Sequence, residues 1–406
     1  MTSAPAAPAT ARSAVWTCYV SMMCIAIAVN LAPIYLTTFA DTFRSDGAIL
    51  TEEEMGLIQS FIFAGLVAGI ACSGPLADRF GGKTFVMTGL GLVSAGLAAA
   101  ASAPTYGVLV ASGFLMGLGG GILDMVLSPI VAALQPDRKT AAMNWLHSFY
   151  CAGAMLLTGA GWVAIHYGVP WRLFAASAAA VPLATLIVFA RLNVPPLVAE
   201  GAERVPTGRM LSSFFFLTAL GAILLAGATE AGMSTWLPAY AERDLHFTKA
   251  IGALALSGFL ATMWLGRIFA AVLGHRIPAG ALLGVSASLS IVGYLAAVLL
   301  PWDGGALAAC IITGLAVGGL WPTILGLVAN RVPHGGATMF GLLGAAGNGG
   351  CFLAPWAIGA MANTGGLNHA FSMATLAPVV LLAVVILLSC LRSPRTASPA
   401  EPPRAS

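Results

Sequence analysis

The sequence predicts an all-α membrane protein of twelve transmembrane helices in two pseudo-symmetric six-helix bundles. Three observations predict it. Of 406 residues, 59% are apolar and 8% charged, and mean hydropathy is +0.91, a balance that a soluble core behind a polar shell does not have. The apolar residues gather into twelve runs long enough to cross a hydrocarbon core as helix. A shift of 197 residues lays "GLGGGILDMVLSPIVAALQP" (117–136) over "GLAVGGLWPTILGLVANRVP" (314–333), matching Gly117, Leu118, Gly121, Leu123, Val131, Ala132 and Pro136 with identical residues. The same shift puts Gly153 on Gly350, the mark of a duplicated half.

In chain order the runs occupy roughly 14–40, 53–77, 84–103, 105–133, 140–167, 171–192, 210–240, 249–273, 278–300, 305–331, 336–363 and 367–391. The first follows a polar Ala/Pro tail, 1–13, and is too long for a signal-peptide core, so no cleavage is expected. The first six form one bundle, 14–192. The longest polar connection, 193–209, falls mid-chain as a cytoplasmic linker to the second bundle, 210–392, and the tail 393–406 is expected to be disordered. Gly113, Gly117 and Gly121 share one helix face, where small residues let helix backbones approach.

Basic residues set the orientation, because Lys and Arg accumulate on the cytoplasmic side. Placing both termini inside puts Arg12, Arg79, Lys83, Arg138, Lys139, Arg191, Arg204, Arg209, Arg267, Arg276, Arg331, Arg392, Arg395 and Arg404 inside, leaving Arg44, Arg172, Arg243 and Lys249 outside. That distribution accounts for all 18 basic residues and predicts this orientation; the chain is expected to be a multi-pass protein of the bacterial inner membrane, functional as a monomer in the bilayer. The net charge of +3 is then an insertion signal, with no basic patch for nucleic acid. The seven cysteines lie in apolar runs without a Cys-x-x-Cys pair and read as small buried hydrophobes. No cofactor or metal site is expected, and no catalytic triad or nucleotide motif suggests an enzyme. The stretch "GPLADRFGGKT" (74–84) ends like a phosphate loop, but position 77 is alanine where that loop needs glycine, and a membrane-length run precedes it.

A charge inside the bilayer is costly, so a mid-span acid points to function. Asp124 in the fourth run and Glu230 in the seventh qualify, and no basic residue near mid-span is evident to pair with Asp124. A carboxyl in a cavity that opens and closes exchanges a proton near neutral pH, so both are candidates for proton coupling. Sodium is the competing ion, with Ser128 and Thr229 as further oxygen donors. In the fifth run Asn144, His147 and Cys151 share one helix face, and the amide and imidazole suit a hydroxylated small-molecule substrate. Tyr150, Trp236 and Trp321 offer platforms for a sugar ring, and Asn30, Gln59 and Asn348 are further mid-span amides.

Two resemblances narrow the reading. Gly74-Pro-Leu-Ala-Asp78-Arg79-Phe-Gly81-Gly82-Lys83 closely resembles the loop signature of the major facilitator superfamily, between spans two and three. This implies a conformational gating loop built on Gly74, Asp78, Arg79, Gly82 and Lys83. The segments "VNLAPIYLTTF" (29–39), "GLIQSFIFAG" (56–65), "GLGGGILDMVLSP" (117–129), "MNWLHSFYCAGA" (143–154), "GATEAGMSTWLPAY" (227–240) and "GFLATMWLGRIFAA" (258–271) resemble the fucose/proton symporter and sodium-dependent glucose-transporter-like branch. In that branch the span-four acid stands at Asp124 and polar span-five residues stand at Asn144, His147 and Tyr150, which implies hexose or deoxyhexose binding. The chain departs from it at Pro33, where the fucose symporter has an acid, and at Ser128, where the branch has Asn. Adding 197 to 33 gives Glu230, a symmetry-related substitute. The expected activity is proton-coupled monosaccharide symport by alternating access. A drug or metabolite efflux antiporter on the same fold and a non-transporting solute sensor are the rivals.

Overall fold

The computed structural model describes residues 9–45, 48–135, 139–192, 194, 207–274, 276–332 and 336–391; the side chains at 9–11, 45, 74–80, 139–144 and 336–337 fall outside those described. The first half comprises α1 (Ala9–Thr42), α2 (Glu52–Phe80), α3 (Gly82–Ser102), α4 (Tyr106–Leu134), α5 (Lys139–His166) and α6 (Trp171–Ala190). A short hairpin of β1 (Arg44–Ser45) and β2 (Ala48–Ile49) joins α1 to α2. After a five-residue helix, α7 (Thr207–Leu211), the second half comprises α8 (Phe214–Arg243), α9 (Lys249–Leu273), α10 (Ala279–Leu299), α11 (Asp303–Gly318), α12 (Leu320–Arg331), α13 (Gly336–Ala374) and α14 (Leu376–Cys390). Span ten is α11 and α12 together, which meet at Gly319, where φ and ψ stay helical. Spans eleven and twelve share α13, which turns at Gly366, where φ is 78° and a side chain would be strained. The chain therefore makes twelve crossings, and the face from which α1 starts is here called proximal, the opposite face distal.

Local chemistry starts the helices where the sequence changes from polar to apolar. At Thr51 a capping box closes: its N–H donates to Glu54 Oε2 at 2.8 Å, and the Glu54 N–H to Thr51 Oγ1 at 3.2 Å. Thr105 and Thr248 cap α4 and α9 through the N–H groups of Val108 and Ile251. Inside α1, Pro33 cannot donate to the Val29 carbonyl one turn back, and the helix kinks at Tyr35. Gln59 of α2 fills that vacancy, its Nε2 donating to Val29 O at 3.1 Å.

The duplication is visible in individual contacts. Gly117 and Gly121 of α4 press on the carbonyls of Ile62 and Leu66 of α2; Gly314 and Gly318 of α11 press on those of Phe259 and Met263 of α9. Each of these four residue pairs maps onto its counterpart by the 197-residue shift. Gly69 on Leu118 O likewise becomes Gly266 on Leu315 O. Close backbone approach of this kind is what small residues permit where no hydrophobic effect drives helices together.

Candidate functional site

The two halves meet along α2 against α13 and α5 against α9, and on the distal side they are shut. Gly56 seats on the Pro355 carbonyl, and Gly359, one turn further along α13, seats on the Glu52 carbonyl, one turn back along α2. The Ser60 hydroxyl extends this zipper by donating to Phe352 O at 2.6 Å. On the symmetry-related seam Ser257 donates to Thr158 Oγ1 at 2.8 Å. Charges seal the rim: Arg243 pairs with Glu52 at 2.7 Å, Lys249 with Asp41 at 2.6 Å, and Thr37 donates to Glu242 at 2.5 Å. Trp356 Nε1 donates to Glu53 at 2.9 Å.

Beneath this seal, polar groups from both halves meet midway through the membrane. Glu230 stands on α8 about 20 Å from its distal end, counting 1.5 Å per residue. Its carboxylate faces Arg267 of α9 at 3.9 Å, and the two side chains are 21% and 24% exposed. Within electrostatic reach of Arg267 are His147, Tyr150 and Cys151 of α5, in the other half. Asn30 of α1 donates to Ala26 O at 2.9 Å and reaches the Tyr150 hydroxyl. Asp124 and Ser128 on α4 are half-buried, and His147 is exposed. Groups so deep in the span and still partly exposed imply a cleft between the halves, which, with the distal side closed, opens to the proximal face.

Arg267 corrects two sequence expectations. It is not a loop residue: it lies within α9, six residues before Leu273, and supplies the intramembrane cation that seemed absent. Its partner is Glu230, whereas Asp124 makes no hydrogen bond or ion pair with any described residue. The signal was available, since position 267 falls inside the run 249–273, but counting the residue toward a loop hid it.

Other candidates are placed differently from one another. Trp321 is half-buried, its ring lying over Gly347, where any side chain would collide with it. Trp236 is fully buried and donates to Pro355 O at 3.1 Å, a packing position away from the cleft. Gln59 is buried, its Nε2 bound at the Pro33 kink and its Oε1 without a partner among the described residues, and Asn348 donates to Gly344 O within its own helix. Thr229 is buried and donates its hydroxyl proton to Leu225 O. The side chains of Asn144, Gly74, Asp78 and Arg79 lie outside the described residues. Of the loop's remainder, Gly82 is buried and Lys83 Nζ donates to Ala190 O at 2.7 Å, capping α6 of the same half.

The family model for the Major Facilitator Superfamily matches residues 18–355. The chain belongs to that superfamily. Its fold and family are those of transporters, not enzymes, and it is an integral multi-pass membrane protein. Membrane protein MosC of Rhizobium meliloti is 23% identical over 342 residues, 84% of this chain and 81% of that protein. Among solved structures, the superfamily transporter FucP in the outward conformation superposes with a TM-score of 0.65 at 20% identity, covering 93% of this chain and 99% of FucP. A bacterial homologue of the human lysosomal transporter Spinster, inward-facing and occupied, superposes with a TM-score of 0.79 at 15% identity, covering 97% of this chain and all of the other.

Proposed function

We propose that the chain is a proton-coupled symporter that carries a monosaccharide, a hexose or deoxyhexose, by alternating access. The observation that carries this reading is Asp124, a mid-membrane carboxyl on the cleft with no counter-ion among the described residues. A lone carboxyl alternately wetted and dried exchanges a proton with whichever side the cleft faces, and Glu230, tied to Arg267, is the second acid able to take part. His147, Tyr150 and Asn30 supply donors and acceptors for sugar hydroxyls, Asn144 shares the His147 face of α5, and Trp321 offers a ring platform. With Arg267 withdrawn from the loop tally, thirteen basic residues still favour the proximal face against four on the distal one. The proximal face is then cytoplasmic, in the plasma membrane of a bacterium, and the conformation is inward-open.

The test is uptake of labelled hexoses and deoxyhexoses into proteoliposomes under a proton gradient, a sodium gradient or neither. Proton-driven accumulation by the wild type, lost in Asp124→Asn while counterflow exchange persists, is expected. Accumulation under sodium alone transfers the coupling to that ion. Full accumulation by Asp124→Asn refutes the role of this acid, and no sugar movement at all returns the efflux and sensor readings.

A further inference from the structure

Among the described ion pairs, Glu230–Arg267 is the widest and the most buried, ahead of Lys249–Glu242 at 3.7 Å. Arg243–Glu52 and Lys249–Asp41 close at 2.7 and 2.6 Å with hydrogen bonds, whereas Arg267 stands 3.9 Å from Glu230, beyond hydrogen-bond reach. Its Nε is buried without a partner among the described residues, and the guanidinium donates no hydrogen bond to any of them. A planar fork with five N–H donors, held mid-membrane and spending none of them, is matched by a carboxylate, which accepts two in parallel. The fold itself does not ask for charge here, since the 197-residue shift puts Pro33 and Ile70 at the equivalent places in the first half.

We infer that Arg267 anchors a carboxylate of the transported solute, and that Glu230 is a resting counter-ion which this carboxylate displaces. The inference rests on the monosaccharide reading and narrows its cargo to sugar acids, aldonates or uronates. Charge counting supports a monoanion. At rest the pair is neutral; an incoming carboxylate brings one negative charge, and one proton taken by the Glu230 carboxylate restores neutrality. A phosphate dianion would leave a further charge unpaired in the membrane interior, which is costly. The groups facing the pair are His147, Tyr150 and Cys151 from α5 and Cys351 from α13, hydrogen-bonding partners suited to hydroxyls, none of them a carboxylate that could replace Glu230 as counter-ion. A neutral hexose would leave the fork without its matching acceptor.

Calorimetric titration of the purified full chain with D-glucose, D-gluconate, D-glucuronate and benzoate tests this. Either sugar acid should bind at least tenfold more tightly than glucose, Arg267→Gln should lose at least tenfold of that affinity, and Glu230→Gln should hold the acid at least as tightly as the wild type. Equal affinity for glucose and both acids overturns the inference and leaves the monosaccharide reading standing. Arg267-dependent binding of benzoate, with no sugar or sugar acid bound, keeps the carboxylate anchor and overturns the monosaccharide reading. No binding of any probe overturns both. Should Arg267→Gln fail to fold, Glu230→Gln decides: a tenfold loss of acid affinity in that variant makes Glu230 a binding group and refutes displacement.

Discussion

Alanine at Gly56 would act on the equilibrium between conformations without touching either bundle's interior. A Cβ at this position lies 2.9 Å from the Pro355 carbonyl carbon and 3.2 Å from the Trp356 Cα, where ordinary contact is 3.4–4 Å. Both neighbours are backbone of the opposite half, so nothing flexible can yield and α2 must part from α13 on the distal side. Gly359→Ala meets the Glu52 carbonyl carbon at 2.9 Å and Glu53 Cα at 3.0 Å and makes the same demand from the other helix. Overpacking of this size costs about 1–3 kcal/mol, and here the cost falls only on the distally closed state. The population of that state should drop about 5- to 150-fold relative to the distally open one. Nitroxides at the exposed positions Thr42 and Ile251, after replacement of the two exposed cysteines, Cys72 and Cys390, would report the change as longer distances across the distal rim. The control is Gly117→Ala, whose Cβ comes within 2.8 Å of the Ile62 carbonyl carbon inside one half. It should lower the melting temperature without lengthening the rim distance. Unchanged distances in Gly56→Ala, or a stability loss equal to that of Gly117→Ala, would refute the claim that this seam is a gate.

The rim charges should act in the same direction but weakly. Arg243→Gln and Lys249→Gln each remove one pair across the seam, and because these side chains are about a third exposed each is worth roughly 0.2–1 kcal/mol. The expected opening is at most about fivefold per variant and vanishes in high salt; a salt-independent shift would show that charge is not its cause. At the distal end of α8, Asp244 accepts from the Asn368 N–H at 3.2 Å, and burial pushes its carboxyl above the ordinary aspartate range. An acid with a raised folded-state pKa is penalised above that pKa and relieved as pH falls through it toward the unfolded value. Asp244→Asn keeps the acceptor and removes the charge, so its melting advantage over the wild type should be largest at neutral pH and shrink on acidification. An advantage that grows on acidification would reverse the argument.

The spans were legible because length and apolarity alone set them, down to the turn between spans eleven and twelve, read as falling between 363 and 367 and found at Gly366. The point at Gly319 where α11 meets α12 was not legible, since the glycines around it look like any packing stripe of this chain. Gln59 shows a subtler failure. Read as a ligand, it spends its amide on the carbonyl that Pro33 leaves free, and the pairing joins residues whose adjacency only the folded bundle creates. Trp236 fails similarly: an aromatic on span seven has two faces to choose between, and burial against Pro355 decided it.

The repeat itself separates frame from function. Where the 197-residue shift preserves a close approach, as at Gly69/Leu118 and Gly266/Leu315 or at Gly96/Met116 and Gly293/Thr313, it is a neighbour pressed on glycine, and it lets helices pack closely within each half. Thr262 continues the pattern with a substitution, its hydroxyl donating to the Ile311 carbonyl where Gly65 presses on that of Phe114. Where the shift fails, chemistry enters: Pro33 stands opposite Glu230, Ile70 opposite Arg267, and Trp321 opposite Asp124. A rocking frame needs two like halves, but a solute that is not itself two-fold symmetric needs unlike walls. The charged pair in one half and the lone acid in the other are therefore where selectivity and coupling are to be sought, and substitutions at their apolar counterparts, Pro33 and Ile70, should alter packing without changing which solute is carried.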